Sequence, residues 1–382
     1  MRKECLMIPG PTPIPAEVAL AMSTGMFNHR GPRFKVLLEE LTASLKQVFQ
    51  TEGRLYILTA SGTGAMEAAI VNFLSPGDRI ICLVNGSFGE RMSKIADIYG
   101  VEVERLEAEW GEPLDYRGLE KKLHEDSDHR IRAITVVHNE SSTGMMNDLA
   151  AVSRARGTHP ALLIADTVSS MGAVNIPVDQ WNIDACFTGS QKALLSPPGL
   201  SMISVSERAW QAAASSKIGK CYFSLPTAQE FLEKGQTPFT PALSQMVAMQ
   251  KALEIYLADG LEENYARHRR MAEATRAAVR ALGLELLVDD QYASLTVTAI
   301  KKPDRVNITA LLSIMRDRFG VEAAGGQEKL SGQIFRLGHL GAVEEMDIIT
   351  AIAALEMALR SLGYPVELSS GIKVAQEIIA TG

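Results

Sequence analysis

The sequence predicts an α/β protein with a mainly parallel, doubly wound sheet and a smaller C-terminal α+β domain. Before residue 241, apolar runs rich in β-branched residues alternate with helix-like segments. Strands that are buried on both faces and joined by helices are typical of parallel sheets. After residue 241 the pattern changes to long amphipathic helices with short strands among them. A chain of 382 residues is also long enough for two domains.

Six apolar runs in the first part are predicted to be strands of the sheet. They cover residues 54–61, 79–86, 131–141, 161–170, 184–190 and 199–207. Helices are predicted after the first two, in GAMEAAIVNFL and GERMSKIADIYG. The glycine that closes the second of these segments is typical of a helix end.

The second part of the chain is predicted to be mostly helical. LSQMVAMQKALEIYLADG and LEENYARHRRMAEATRAAVRALG carry apolar residues at helical spacing. Strands are predicted in SLTVTAIKK and QIFRLGHLG, and further helices around 307–319 and 344–362. With a boundary near Gly260, the chain divides into an N-terminal segment (1–20), a large domain (21–259) and a small domain (260–382).

Composition and charge argue against several classes of partner. The net charge of −7 gives no overall attraction to nucleic acid or to an anionic membrane. No apolar run reaches about 18 residues, and no signal peptide is apparent. The cysteines are far apart and form no CxxC pair: Cys5, Cys82, Cys186 and Cys221. We therefore expect a cytoplasmic protein that binds neither a metal, nor nucleic acid, nor a membrane.

Polar residues follow several of the predicted strands at the edge where parallel sheets bind ligands. SGTG, residues 61–64, lies between a strand and a helix and would offer backbone N–H groups to an anion such as a phosphate. The same motif also occurs in ordinary strand-to-helix turns. Asp166 directly follows the apolar run ALLIA, so its carboxylate needs a hydrogen-bonding or cationic partner. It could cap a turn or face a protonated ring nitrogen.

Lys192 comes 26 positions after Asp166, at the end of the next apolar run. A buried lysine loses its charge readily and then becomes a nucleophile. A phosphate-binding turn, a buried aspartate and a lysine at a strand end, in this order, indicate a pyridoxal 5′-phosphate (PLP) site. In such a site the lysine forms a Schiff base and the aspartate pairs with the pyridinium nitrogen.

Six stretches also resemble one known family. They are IPGPTPIP (8–15), SGTGAMEA (61–68), HNESSTG (138–144), ADTVSSMG (165–172), GSQKALLSPPG (189–199) and FRLGHLG (335–341). Together they are similar to the class V aminotransferases of PLP-dependent transferase fold type I. The branch in question contains alanine–glyoxylate, serine–glyoxylate and serine–pyruvate aminotransferases and soluble-hydrogenase small-subunit-like proteins. The resemblance implies a large domain with a seven-stranded mainly parallel sheet.

The resemblance implies a role for each matching residue in binding the cofactor. Its phosphate would be bound by Gly62, Thr63 and Gln191, and Ser61 is a further cofactor-binding residue. The ring would be contacted by Phe88 and Val168 on its two faces, by Ser141 at its hydroxyl, and by Asp166 at its nitrogen. Lys192 would bind the aldehyde and later act as general acid and base.

Further residues implied by the resemblance concern the substrate and the partner subunit. Gly10 lies in the N-terminal segment that would cover the active site, and Arg336 would bind the substrate carboxylate through its guanidinium. Thr240 would reach the phosphate site of a neighbouring subunit, which implies a homodimer with shared active sites. His138 and Glu140 are expected to hold a loop.

The function expected is a PLP-dependent aminotransferase with a ping-pong mechanism. It would move the amino group of a small L-amino acid, alanine or serine, to glyoxylate or pyruvate. Three alternatives remain open at this point: a 2-aminoethylphosphonate-type transaminase, a PLP lyase of the cysteine desulfurase kind, and a non-catalytic subunit of a redox complex.

Overall fold

The structure is a computed structural model that describes residues 4–381. Residues 1–3 of the predicted N-terminal segment and residue 382 of the predicted small domain lie outside the described residues. The strands, in chain order, are β1 (Cys5–Met7), β2 (Arg54–Leu58), β3 (Arg79–Val84), β4 (Glu102–Glu107), β5 (Ile131–Val137), β6 (Asn139–Glu140), β7 (Met145–Met146), β8 (Leu162–Asp166), β9 (Ala185–Gly189), β10 (Ser201–Val205), β11 (Val297–Lys301), β12 (Val321–Gly325) and β13 (Ile334–Gly338).

The helices alternate with these strands through most of the chain. They are α1 (Ala16–Ala21), α2 (Pro32–Phe49), α3 (Gly62–Phe73), α4 (Ser87–Ile98), α5 (Tyr116–Glu125), α6 (Leu149–Arg156), α7 (Glu207–Ser215), α8 (Leu225–Leu232), α9 (Leu243–Asp259), α10 (Leu261–Ala281), α11 (Ile308–Phe319), α12 (Glu345–Ser361) and α13 (Ser370–Thr381). Within residues 4–381 no helix is both long enough and apolar enough to cross a membrane.

A seven-stranded sheet forms the centre of the larger part of the molecule, in the order β2-β10-β9-β8-β5-β3-β4. Strand β10 is antiparallel to both of its neighbours, and the other neighbouring strands are parallel. The prediction of a seven-stranded, mainly parallel sheet is confirmed. The edge strand β4 was not predicted, because four of the six residues in its sequence EVERLE are charged and the strand is partly exposed.

Both faces of this sheet are buried, which explains the nearly continuous apolar runs of its strands. On β5, Ile134 and Val136 join one hydrophobic core while Ala133 joins the other. Successive side chains of a strand point to opposite faces, so each apolar run supplies both cores. The helices that cover the two faces complete the doubly wound α/β arrangement that the sequence predicts.

A second sheet has the order β1-β12-β13-β11 and includes the N-terminus of the described chain. Strand β1 pairs in parallel with β12, although more than 300 residues separate them. Neither strand was predicted from the sequence. Because of this pairing, the residues after β1 run past the end of β13. The approach is close, since a Cβ atom on Gly338 would lie 2.2 Å from the carbonyl oxygen of Ile8.

Gly260, near which we predict the domain boundary, lies between α9 and α10 with a φ of 83°. The buried Tyr256 of α9 packs in a core of the large sheet, whereas Met271 of α10 packs in the core of the second sheet. The non-helical residue Gly260 therefore separates two helices that pack in different cores. The limits of the three predicted domains stay a prediction.

The C-terminal tail forms a helix that the sequence analysis did not predict, α13, which packs against α10 and α12. The buried carboxylate of Glu356 on α12 accepts backbone N–H groups of Ser369, Gly371 and Ile372 at the start of this helix. A negative group at a helix N-terminus is stabilising because the N–H groups there lack partners within the helix. The tail is thus an integral part of the second core.

Candidate active site

The carboxyl ends of β2, β5, β8 and β9 surround a cavity of about 200 Å³. Nine of the predicted cofactor-binding residues line it: Ser61, Gly62, Thr63, Phe88, Ser141, Asp166, Val168, Gln191 and Lys192. They come from strand ends, loops and helix starts that are distant in sequence, and the parallel strands bring these segments to one edge of the sheet. The remaining predicted residues, Gly10, Thr240 and Arg336, lie outside the lining.

Lys192 lies three residues after the end of β9 and is buried at one wall of the cavity. Its Nζ atom donates a hydrogen bond to the carbonyl oxygen of Pro9 at 2.5 Å. The pKa of Lys192 is lowered to about 8: burial lowers it most, the Asp166 carboxylate opposes this shift, and the Arg336 guanidinium adds to it. The amine is therefore neutral in a sizeable fraction of molecules near neutral pH.

Asp166 is the last residue of β8 and is also buried. Its carboxylate accepts the backbone N–H of Val168 at 2.8 Å. Burial raises the pKa of Asp166 to about 7, although the Val168 N–H, Lys192 and Arg91 each favour the charged form. These groups do not offset the cost of burying the carboxylate, so a cationic group bound in the cavity would stabilise its charged form.

The start of α3 forms the end of the cavity that the sequence predicts to bind a phosphate. Gly62 opens the helix, and a Cβ atom there would lie 2.7 Å from the Val168 side chain. Glycine therefore allows the helix N-terminus, with its unpaired N–H groups, to approach the wall of the cavity. The buried Oε1 atom of Gln191 lines the same cavity and has no hydrogen-bond partner among the described residues.

Phe88 is held in place by the buried Glu140. The Glu140 carboxylate accepts the backbone N–H groups of Phe88 at 3.0 Å and Gly89 at 3.1 Å, at the start of α4. Burial raises the pKa of Glu140, and these N–H groups oppose the shift. The nearby His138 ring lies 2.9 Å from the Ser170 hydroxyl, and burial lowers its pKa to about 4. Neither His138 nor Glu140 lines the cavity.

Arg336 lies beside the cavity on β13 and is almost fully buried. Its Nη1 atom donates to the carbonyl oxygen of Ser141 at 2.7 Å, and Nε and Nη2 donate to that of Gly325. Burial lowers the pKa of Arg336 to about 10, which leaves it charged at neutral pH. The contact with Ser141, which lines the cavity, connects the second sheet to the site. That Arg336 binds a substrate carboxylate stays a prediction.

Gly10 and Thr240 lie in different surroundings. Gly10 adopts a φ of 129°, and a Cβ atom there would lie 2.5 Å from Nζ of Lys192, so the N-terminal segment packs directly on the lysine. Thr240 is exposed in the loop between α8 and α9, and it lines a separate apolar groove. Its predicted role at the phosphate site of a partner subunit stays a prediction.

Other cavity residues were missed by the sequence analysis. They are Met66, Arg91, Val137, Asn139 and Ser169. Arg91 lies three positions after Phe88 on α4. Residues three apart on a helix share a face, so the sequence FGER already indicated that Arg91 lies near Phe88. Asn139 donates to the hydroxyls of Ser169 at 2.8 Å and Thr296 at 2.9 Å, and only the fold brings these groups together.

These features fit pyridoxal phosphate. Asp166 offers a negative charge to a protonated ring nitrogen, and the unpartnered oxygen of Gln191 marks a polar position that the protein leaves unsatisfied. Phe88 and Val168 offer apolar groups, and Lys192 offers an amine of lowered pKa. No group of three or more His, Cys, Asp or Glu side chains in residues 4–381 could hold a metal ion.

Comparisons with known proteins agree with the site. The family model described as aminotransferase class V matches residues 10–337. The chain is 43% identical to the soluble hydrogenase small subunit of Synechococcus sp. (strain PCC 6716), over 99% of both chains. It is 36% identical to the serine–glyoxylate aminotransferase of Arabidopsis thaliana, over 97% of this chain and 94% of that one. The crystal structure of ureidoglycine–glyoxylate aminotransferase from Bacillus subtilis matches with a TM-score of 0.94 at 28% identity, covering 100% of this chain and 99% of that one.

Proposed function

The chain belongs to the class V aminotransferases, and from this premise we propose that it moves the amino group of a small L-amino acid, alanine or serine, to glyoxylate or pyruvate. The family and the matching structures imply pyridoxal 5′-phosphate as cofactor. The observation that supports the proposal most is the pair formed by Lys192 and Asp166. An amine of lowered pKa and a carboxylate of raised pKa line one buried cavity.

The residues around the cavity have distinct parts in this reaction. When bound, the cofactor supplies an aldehyde for the amino group and a protonated ring that withdraws electrons from the α-carbon. The Nζ atom of Lys192 would hold the aldehyde and, once displaced by the substrate, would carry a proton from the α-carbon to the C4′ atom of the cofactor. The Asp166 carboxylate would keep the ring nitrogen protonated. Phe88 and Val168 would hold the ring between them and exclude water.

Size and charge support small substrates with one carboxylate. A cavity of about 200 Å³ has to hold the cofactor as well as the substrate. Arg336, charged and beside Ser141, is the group that we assign to the carboxylate. The names of two similar proteins, serine–glyoxylate aminotransferase and ureidoglycine–glyoxylate aminotransferase, share the acceptor and differ in the donor. Glyoxylate is therefore our first choice of acceptor. The two half-reactions would follow each other in a ping-pong cycle.

A homodimer with shared active sites is part of the proposal. Thr240 lies next to Phe239, whose ring stacks on that of Tyr222 at 5.2 Å, and both aromatic residues are exposed. Exposed apolar rings beside a polar residue suit an interface between subunits. In such a dimer Thr240 would reach the partner's phosphate site. The cytoplasmic location likewise stays a prediction from the sequence.

The alternatives differ from the proposal in ways that can be measured. A cysteine desulfurase needs a reactive cysteine at the site, and no cysteine is among the described residues that line the cavity. A 2-aminoethylphosphonate transaminase would not need Arg336 for its donor, because that donor lacks an α-carboxylate. A subunit of a redox complex, suggested by the name of a relative, would co-purify with iron–sulfur subunits and perform no half-reaction.

A half-reaction screen tests the proposal. Purified protein with PLP receives amino acids one at a time, and loss of the visible absorbance of lysine-bound cofactor is followed. We expect alanine or serine to bleach it and glyoxylate or pyruvate to restore it. Lys192→Ala should show no such absorbance, whereas Lys220→Ala should retain it, since Lys220 also has a pKa lowered by burial but lies outside the cavity. Normal absorbance in Lys192→Ala would overturn the proposal.

A further inference from the structure

Arg91 is a half-buried arginine at the phosphate end of the cavity. It lies on α4, and its Nη1 atom donates to the hydroxyl of Thr63 at 3.2 Å. The guanidinium carbon is 4.6 Å from the centre of the Phe88 ring, which orients the planar group. Thr63 belongs to the first turn of α3, so the guanidinium lies beside the helix N-terminus to which we assign the phosphate.

The charge of Arg91 has no acidic partner within ion-pair distance in the described part of the chain. The neighbouring Glu90 pairs with Lys329 at 3.5 Å instead. Three charged residues line the cavity: Asp166, Lys192 and Arg91. Lys192 and Asp166 are assigned to the reacting aldehyde and the ring nitrogen. This leaves Arg91 as the cation available to an anionic group.

The positive charge of a helix N-terminus offsets only part of the negative charge of a phosphate. A phosphate monoester carries about −1.5 to −2 charges at pH 7, whereas a helix N-terminus is equivalent to about +0.5. The amide of Gln191 adds no charge. Arginine binds phosphate oxygens well because its planar N–H groups form charge-assisted hydrogen bonds.

We propose that Arg91 is the cationic ligand of the cofactor phosphate. Its contacts with Thr63 and Phe88 hold the guanidinium between the phosphate-binding turn and the ring-stacking residue, so that its remaining N–H groups can reach the phosphate oxygens. This inference rests on the proposed function, since it assumes that PLP occupies the cavity.

The test compares two forms of the cofactor on cofactor-free protein. Wild type, Arg91→Gln, Arg91→Lys and Lys94→Gln are titrated with PLP and with pyridoxal, which lacks the phosphate. We expect Arg91→Gln to weaken PLP binding by about ten- to a hundredfold, the range for a lost charge-assisted hydrogen bond, and to leave pyridoxal binding nearly unchanged. Arg91→Lys should recover part of the loss. Lys94→Gln, which removes the same charge from an exposed position on α4, should behave as wild type.

Inorganic phosphate gives a second measurement. It should slow PLP uptake by the wild type, and a higher concentration should be needed for the same effect in Arg91→Gln. Equal loss of PLP and pyridoxal affinity would overturn the inference, because Arg91 would then only support Phe88. Unchanged PLP affinity in Arg91→Gln would overturn it too. If the wild type itself shows no lysine-bound cofactor, the proposed function fails instead. Circular dichroism and melting temperature of each cofactor-free variant control for folding.

Discussion

Lys192 and Pro9 are joined by a hydrogen bond of 2.5 Å between Nζ and a backbone carbonyl, across 183 positions of sequence. The contact is reinforced nearby, because Thr12 donates its backbone N–H to the carbonyl oxygen of Gln191 and its hydroxyl to that of Lys192. The N-terminal segment therefore lies against the lysine on one side. On its other side, Ile8 approaches the end of β13. The lysine is buried by a segment that belongs, through β1, to the second sheet.

The first prediction concerns Gly10. Replacement by alanine should weaken PLP binding by tenfold or more, because the new Cβ atom would lie 2.5 Å from Nζ of Lys192. The φ of 129° is also strained for residues other than glycine, at a cost of about 1–3 kcal/mol. Titration of cofactor-free protein measures the effect. Gly25→Ala is the matched control, since nothing lies within 4 Å of its Cβ position. Equal cofactor affinity in both variants would refute the packing described for Gly10.

The second prediction concerns the pH dependence of cofactor uptake. A pKa lowered from 10.5 to about 8 makes roughly one Lys192 in ten neutral at pH 7, against fewer than about one in a thousand for an ordinary lysine. If the neutral amine reacts, the rate of PLP uptake should rise about tenfold per pH unit below 8 and level off above it. Stopped-flow absorbance measures this rate.

A variant tests the cause of that pH profile. Arg336 lowers the pKa of Lys192, so Arg336→Gln should move the midpoint of uptake to higher pH, while Arg336→Lys should keep it closer to that of the wild type. A midpoint near 10 in the wild type would mean that burial does not neutralise Lys192.

The third prediction separates stability from function at Asp166. Because burial raises the folded-state pKa of Asp166 to about 7, above its value of 3.8 when unfolded, the folded protein loses stability as pH rises from about 4 to 7. Asp166→Asn should therefore stabilise the cofactor-free protein by about 1–3 kcal/mol at pH 8 and by less at pH 5. The same variant should slow the first half-reaction about a hundredfold or more.

Two measurements check the Asp166 prediction together. Denaturant unfolding of cofactor-free wild type and variant at both pH values gives the free energy of unfolding, and the half-reaction gives the rate. A variant that is less stable at pH 8 would show that Asp166 already has a compensating partner without cofactor.

The fourth prediction concerns Glu140. One carboxylate oxygen accepts the N–H groups of Phe88 and Gly89, and the other accepts the hydroxyl and N–H of Ser142. Glu140→Gln places an NH₂ group against one of these sets of donors, so we expect a loss of about 1–3 kcal/mol in unfolding free energy. PLP affinity should also fall, because Phe88 loses its support. Chemical unfolding measures the stability and PLP titration the affinity, with Glu109→Gln at an exposed position as the control. Unchanged PLP affinity in Glu140→Gln would argue against the role of Glu140 in supporting Phe88.

Much of the large sheet was predictable because its strands are buried on both faces. Apolar runs such as 79–86 and 161–170 contain β3 and β8, although the strands end two and four residues earlier than predicted, respectively. The edge strand β4 was missed because its charged side chains give no such run. The tail helix α13 was missed as well: its buried face is small, and its start depends on the distant Glu356.

The sequence by itself determined the chemistry available to this protein: a lysine and an aspartate at strand ends, a glycine-containing turn before a helix, and an arginine in FRLG. Residue type and position next to an apolar strand are local properties, so a sequence can show them. Only the tertiary structure decided which groups meet, because hydrogen bonds and ion pairs act over a few ångströms. It put Pro9 on Lys192, Arg91 beside Thr63, and Arg336 against Ser141. It also set their charge states, since burial shifts the pKa values of Lys192 and Asp166 towards each other.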